Sequence, residues 1–283
     1  MINDDRRHSR SSDYWRIKWN CAAFARKLAF EGYDLILVAR REAKLIQLAA
    51  ELQARFHINA EVLVADLSEP AEIEHVEKRI IELANLELLV NNAGFGVPGK
   101  FAETPLDKTM AMIDVHVISS TRLTHAALPA MITRGRGVII NVASIGGFIP
   151  RPGDAVYCAT KAYLIAFSEA LQGELVGTGV RVQVLCPGFV PTEFLDSPEY
   201  EQVHIKNKIP RWLWSPAEEV VNEALHTLKR DQVVCVPGFK NRLIVALARS
   251  GLAGALLKIL TNSLRRAYRI PAAPHSLNKE SPS

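Results

Sequence analysis

The chain has 283 residues, 48% of them hydrophobic and 23% charged, which is enough for a sizeable core and ordinary for a globular protein. Lys+Arg 34 against Asp+Glu 30 leaves a net charge of +4, too small and too evenly spread to propose nucleic acid as a partner. Cys21, Cys158, Cys186 and Cys235 form no CxxC pair, no histidines are spaced for a metal, and no apolar leader marks the N-terminus, so we expect no metal and buried thiols in a reducing, cytoplasmic setting.

From residue 22 the apolar period alternates between helix-like and strand-like. AFARKLAFEG reads as a helix closed by Gly32, DLILVA (34–39) as a strand, and 41–56 as an amphipathic helix. AEVLVAD, AEIEHVEKRIIELA and LELLVNN (86–92) follow as strand, helix and strand. A long helical pattern covers 105–133, GVIINVAS (137–144) is a strand, 154–176 a helix, and VRVQVLCPG a strand stopped by Pro187. After a less regular insert from Phe189 to Pro216 come a helix, the short strand QVVCVP and a C-terminal helical region. Its apolar run, Leu243 to Leu260, is broken by Arg249, Ser250 and Lys258, so it makes a poor membrane span; it either packs on its own domain or touches a membrane surface.

Strands that are apolar throughout and separated by helices are buried on both faces. This predicts a Rossmann-like α/β fold, a doubly wound, mostly parallel sheet with helices on both faces. One domain over 22–270 accounts for it, with a flexible tail at 271–283 and an aberrant segment at 1–21. The first strand is missing: a strand and tight turn should feed the helix near 22, placing the turn over 14–21.

NNAG at 91–94, Ser144 at a strand end, Tyr157-Cys-Ala-Thr-Lys161 on the next helix and Pro187-Gly188 after the next strand resemble, together and in order, the short-chain dehydrogenase/reductase family. The resemblance covers roughly 22–240. Tyr157 and Lys161, four apart, share a helix face, and an ammonium there would lower the phenol's pKa. Tyr157 can then exchange a proton with a carbonyl or alcohol oxygen that Ser144 also holds. The family's further catalytic asparagine falls on His116, which either orders water in a proton relay or is a helix histidine bonded to backbone.

The resemblance implies a nicotinamide dinucleotide, with Lys161 also on the nicotinamide ribose. After DLILVA come Arg40 and Arg41 where an acidic residue would read a ribose 2′-hydroxyl; arginine suits a 2′-phosphate, so NADP is expected over NAD. Asp66 and Leu67 match the adenine contact, Asn91, Ala93 and Gly94 the segment behind the cofactor, and Pro187, Gly188, Val190 and Thr192 the nicotinamide and phosphate contacts. The expected activity is carbonyl–alcohol interconversion on a lipophilic small molecule, because Phe148, Phe189 and Phe194 fall near the pocket and the insert after Gly188 would close over it. Homodimers or homotetramers through 105–133 and 154–176 are implied as well.

The family's glycine-rich turn falls on YWRIKWNC, and glycines are needed there for a backbone to approach pyrophosphate at a helix N-terminus. Tryptophan is encoded only by TGG. Read one base forward, Trp15 before an arginine codon becomes glycine, and so does Trp19 before an asparagine codon. Permitted codons turn the whole run from Asp13 into Ile-Thr-Gly-Ala-Ser-Ser-Gly-Ile, and the normal frame must resume near Cys21. Two readings follow: a frame-shifted record of an ordinary turn, or a decayed N-terminus on a catalytically silent binding or assembly scaffold.

Overall fold

The structure, a computed structural model, describes residues 14–16, 20–191 and 210–250. In chain order the elements begin with β1 (Tyr14–Arg16), α1 (Asn20–Phe30), β2 (Leu35–Ala39), α2 (Glu42–Phe56), β3 (Ala60–Val64) and α3 (Pro70–Glu82). Next come β4 (Leu88–Asn91), α4 (Leu106–Ile113), a π-helical turn (Asp114–Ile118), α5 (Ser119–Arg134) and β5 (Gly137–Val142). The last are α6 (Ala155–Glu174), β6 (Val180–Leu185), α7 (Ala217–Leu228), β7 (Val234–Cys235) and α8 (Phe239–Arg249). Among the described residues the strands form one parallel sheet, ordered β3-β2-β1-β4-β5-β6-β7.

The two-residue period of each strand sends alternate side chains into two cores. Leu35, Leu37, Val90 and Ile140 pack with Phe24 and Leu28 of α1, Leu45 of α2 and Val220 of α7. Ile36, Val38, Leu89 and Ile139 face the other way, against Ile73 and Val76 of α3, Leu123 of α5 and Leu171 of α6. Each such fully buried large side chain contributes about 1.5–3 kcal/mol. The strand order reverses around β1 and β4, and that leaves a crevice at their carboxyl ends.

Two differences from the sequence reading stand out. Part of the segment expected to be turn is strand: Tyr14–Arg16 lies at the sheet centre, Trp15 opposite Ile36 on one side and Leu89 on the other. The inner edges of β2 and β4 would otherwise leave buried backbone groups without partners. The long helix expected over 105–133 is likewise interrupted, because Asp114–Ile118 adopts one wide turn in which Ser119 N–H reaches the carbonyl of Asp114. Such turns concentrate at functional sites, and this one carries His116.

Candidate active site

Three elements converge on one point. β5 ends at Val142, and Ser144 follows as the residue that caps the 3₁₀ turn Ile145–Gly147, its Oγ accepting from Gly146 N–H at 3.1 Å. Tyr157 and Lys161 lie one turn apart on α6, both buried. Lys161 Nζ donates to the carbonyl of Val142 at 2.9 Å and sits 5.7 Å from the centre of the Tyr157 ring. Gly147 lets α6 close against this turn, since a Cβ there would stand 2.6 Å from Ile165 Cδ1 and 2.8 Å from the Lys161 carbonyl carbon.

The electrostatics differ from the expectation that Lys161 holds the phenol low. Burial pushes Tyr157 up to about 12, and a hydrogen bond with Ser144 is the chief opposing influence. Burial also pulls Lys161 down to about 8. Both groups have left water, and desolvation penalises the charged form of each. Tyr157 is therefore a protonated acid at neutral pH, with its hydroxyl beside Ser144.

His116 is fully buried, and both its ring nitrogens are engaged. Thr160 donates its hydroxyl hydrogen to the Tyr157 carbonyl at 2.8 Å, so at 2.8 Å from His116 Nδ1 its oxygen accepts. Phe95 N–H in turn donates to Nε2 at 3.1 Å. This fixes a neutral imidazole with the proton on Nδ1, and burial followed by the Lys161 charge lowers its pKa well below the ordinary range. The ring ties the loop after β4 to α6. Gly94 passes so close that a Cβ would lie 2.7 Å from His116 Nε2 and 3.6 Å from Lys161 Nζ.

Asn91, expected behind the cofactor, ends β4 with its amide donating to Asn141 Oδ1 at 2.9 Å, Thr124 Oγ1 at 3.0 Å and the Ser120 carbonyl at 3.3 Å. Asn141 passes the chain on to Ser168 of α6 at 2.9 Å. A buried polar ladder thus fastens β4, β5, α5 and α6 beneath the site. Ala93 follows in the same loop, half-buried.

Arg40 and Asp66 meet after β2 and β3, with Arg40 Nη1 3.2 Å from Asp66 Oδ2. Asp66 Oδ1 also accepts from Ser68, and Leu67 packs against the α3 core. Pro187 holds the Ser144 turn through its carbonyl, which accepts from Ile145 N–H at 3.0 Å. Gly188 allows α8 to approach, because a Cβ there would meet Asn241 Oδ1 at 2.5 Å. Val190 is buried in the core with α1 and α7, and Thr192 and Phe194 lie outside the described residues. Phe95, Val97 and Val156 form the apolar wall around Tyr157, and Phe189 leans on Trp214 at 6.1 Å.

Sequence reasoning missed Thr160, Phe95 and the pair Arg151–Asp154. Thr160 lies inside the YxxxK motif, and its role appears only with the fold. Arg151 and Asp154 could have been found as opposite charges three apart in the loop between Ser144 and Tyr157.

A family model described as short chain dehydrogenase matches residues 21–202. An uncharacterized oxidoreductase of Staphylococcus epidermidis is 32% identical over 208 residues, covering 71% of this chain and 89% of that protein. A very-long-chain 3-oxoacyl-CoA reductase of Anas platyrhynchos is 33% identical over 186 residues, which are 64% of this chain and 60% of that protein. A short-chain dehydrogenase of Sphingobium yanoikuyae, solved in complex with NADPH, superposes with a TM-score of 0.75 at 29% identity, covering 94% of this chain and 99% of that one.

Proposed function

The chain belongs to the short chain dehydrogenase family, and from that premise we propose that it is an NADP-dependent reductase of carbonyl compounds with an apolar body. The observation that carries this is the cluster of half-buried Ser144 with buried Tyr157 and Lys161 at the carboxyl end of β5. In the proposed step Ser144 Oγ donates a hydrogen bond to a substrate carbonyl oxygen, Tyr157 Oη gives that oxygen its proton, and the Lys161 ammonium stabilises the phenolate left behind. Phe95, Val97 and Val156 exclude water from the reacting carbon. A phenol held near 12 keeps its proton at neutral pH and has one to give to a carbonyl oxygen.

The fit of a dinucleotide divides along its length. At the nicotinamide end, buried Tyr157 and Lys161 lie beside the loop of Gly94 and would supply donors to a ribose, and this fits. A bound nicotinamide supplies the hydride. Arg40 beside Asp66 would hold the 2′-phosphate that separates NADP from NAD. At the pyrophosphate end the residues as written do not fit, since no glycine precedes Gly32. The frame-shifted reading of residues 13–20 restores that fit; the unshifted reading leaves the silent scaffold.

Buried free thiols at Cys158, Cys186 and Cys235 support a reducing, cytoplasmic setting. Among the described residues no helix is long and apolar enough to cross a membrane. Exposed Leu106 and Met110 of α4 and Tyr163 of α6 support pairing of copies through these helices. The test is NADPH consumption with a panel of aldehydes and ketones, using the chain as written and one with residues 13–20 replaced by ITGASSGI. Turnover by the second and not the first is expected; turnover by neither, with the fold intact, would overturn the proposal.

A further inference from the structure

Between Ser144 and Tyr157 the chain runs Arg151-Pro-Gly-Asp154, and its two charges have an unusual arrangement. Asp154 occupies the N-cap position of α6, where a carboxylate ordinarily accepts from the helix's first free N–H groups. It makes no such bond. Instead its Oδ2 accepts from Arg151 Nη2 at 2.9 Å, while its Oδ1 is buried with no hydrogen-bond partner among the described residues. The carboxylate is 8% exposed and the guanidinium side chain 25%, so the anion stands behind and the cation in front.

The guanidinium lies close to the chemistry. A single point, the place of a Cβ on Gly146, lies 3.4 Å from Ser144 Oγ, 3.5 Å from Tyr157 Cε1 and 3.9 Å from Arg151 Nη2. Giving up a helix cap and burying an orphaned carboxylate oxygen are both costly to the fold. What they secure is the orientation of one guanidinium beside the two groups that receive the substrate oxygen.

We propose that Arg151, held by Asp154, is a specificity-determining residue that binds an anionic group (a carboxylate, sulfonate or phosphate) close to the reacting carbonyl of the substrate. This rests on the reductase reading above and narrows it to substrates with an apolar body and an acidic function near the carbonyl. Arginine suits the role because its guanidinium is charged at every working pH and has several donors, so it can bond an anion while also bonding Asp154.

The experiment compares 2-oxo and 4-oxo carboxylic acids with their methyl esters as substrates of the full-length chain carrying ITGASSGI at 13–20. The acids are expected to have kcat/KM values roughly tenfold to a hundredfold above the esters, the size of a charge-assisted pair, and most of it in KM. Arg151→Gln should collapse that ratio, while Arg151→Lys, which keeps the charge without the guanidinium, should retain part of it. An acid-to-ester ratio near one, or a ratio that survives Arg151→Gln, would overturn the inference and leave the reductase reading standing. If neither acids nor esters nor any neutral carbonyl is reduced by the folded protein, the reductase reading fails and the inference with it.

Discussion

Lys161 makes a prediction that needs no substrate. Its ammonium is buried and bonded to the Val142 carbonyl, and burial takes its pKa from 10.5 to about 8. That drop corresponds to about 3 kcal/mol by which burying the charge opposes folding. Because the folded pKa lies below the unfolded one, the full penalty is present below about pH 8, where both states hold the proton. Between about 8 and 10.5 the unfolded chain alone remains protonated, so stability climbs with pH. Tyr157 and the buried thiols of Cys186 and Cys235, whose pKa values are raised, work in the opposite sense at higher pH.

Lys161→Met isolates the effect, since the raised groups remain in both proteins. Losing the bond to Val142 O adds an offset that does not depend on pH. Urea unfolding across a pH series should show the stability of the natural chain rising relative to Lys161→Met by about 3 kcal/mol from neutral pH to the unfolded lysine's pKa. A difference that stays flat with pH would refute the claim that the ammonium is desolvated.

Gly94→Ala should destabilise the fold by about 1–3 kcal/mol, because its Cβ would fall 2.7 Å from a fully buried His116 that cannot move aside, breaking the bond from Phe95 N–H; thermal unfolding checks it. Arg40→Gln should raise KM for NADPH roughly tenfold or more with little change for NADH, read by steady-state kinetics with each cofactor. Sequencing source DNA across codons 8–24 should reveal one base gained or lost, and an intact reading frame would leave the scaffold alternative in place.

The sheet, its helices and the Ser144–Tyr157–Lys161 cluster were legible because they rest on local signals: apolar period, strand-end polar residues and a four-residue helical spacing. What was not legible depends on burial. The direction of the Tyr157 shift turns on its burial, to which Phe95, Val97 and Met112 come from other segments. The partners of His116, Thr160 and the Phe95 amide, come from α6 and from the loop after β4, and could not be read from its own helix. Asn91 follows the same pattern: its neighbours Thr124 and Asn141 are distant in sequence and adjacent only across the sheet and helix.

The most direct test of the central claim follows a deuterium label from the nicotinamide C4 position of NADPH into product. With the chain carrying ITGASSGI at 13–20, a reducible ketone should yield the alcohol deuterated at its carbinol carbon, and Tyr157→Phe should slow this by roughly a hundredfold to ten-thousandfold, the usual contribution of a positioned acid. Label transfer that persists undiminished in Tyr157→Phe, or no transfer by the folded restored chain to any carbonyl, would contradict the account.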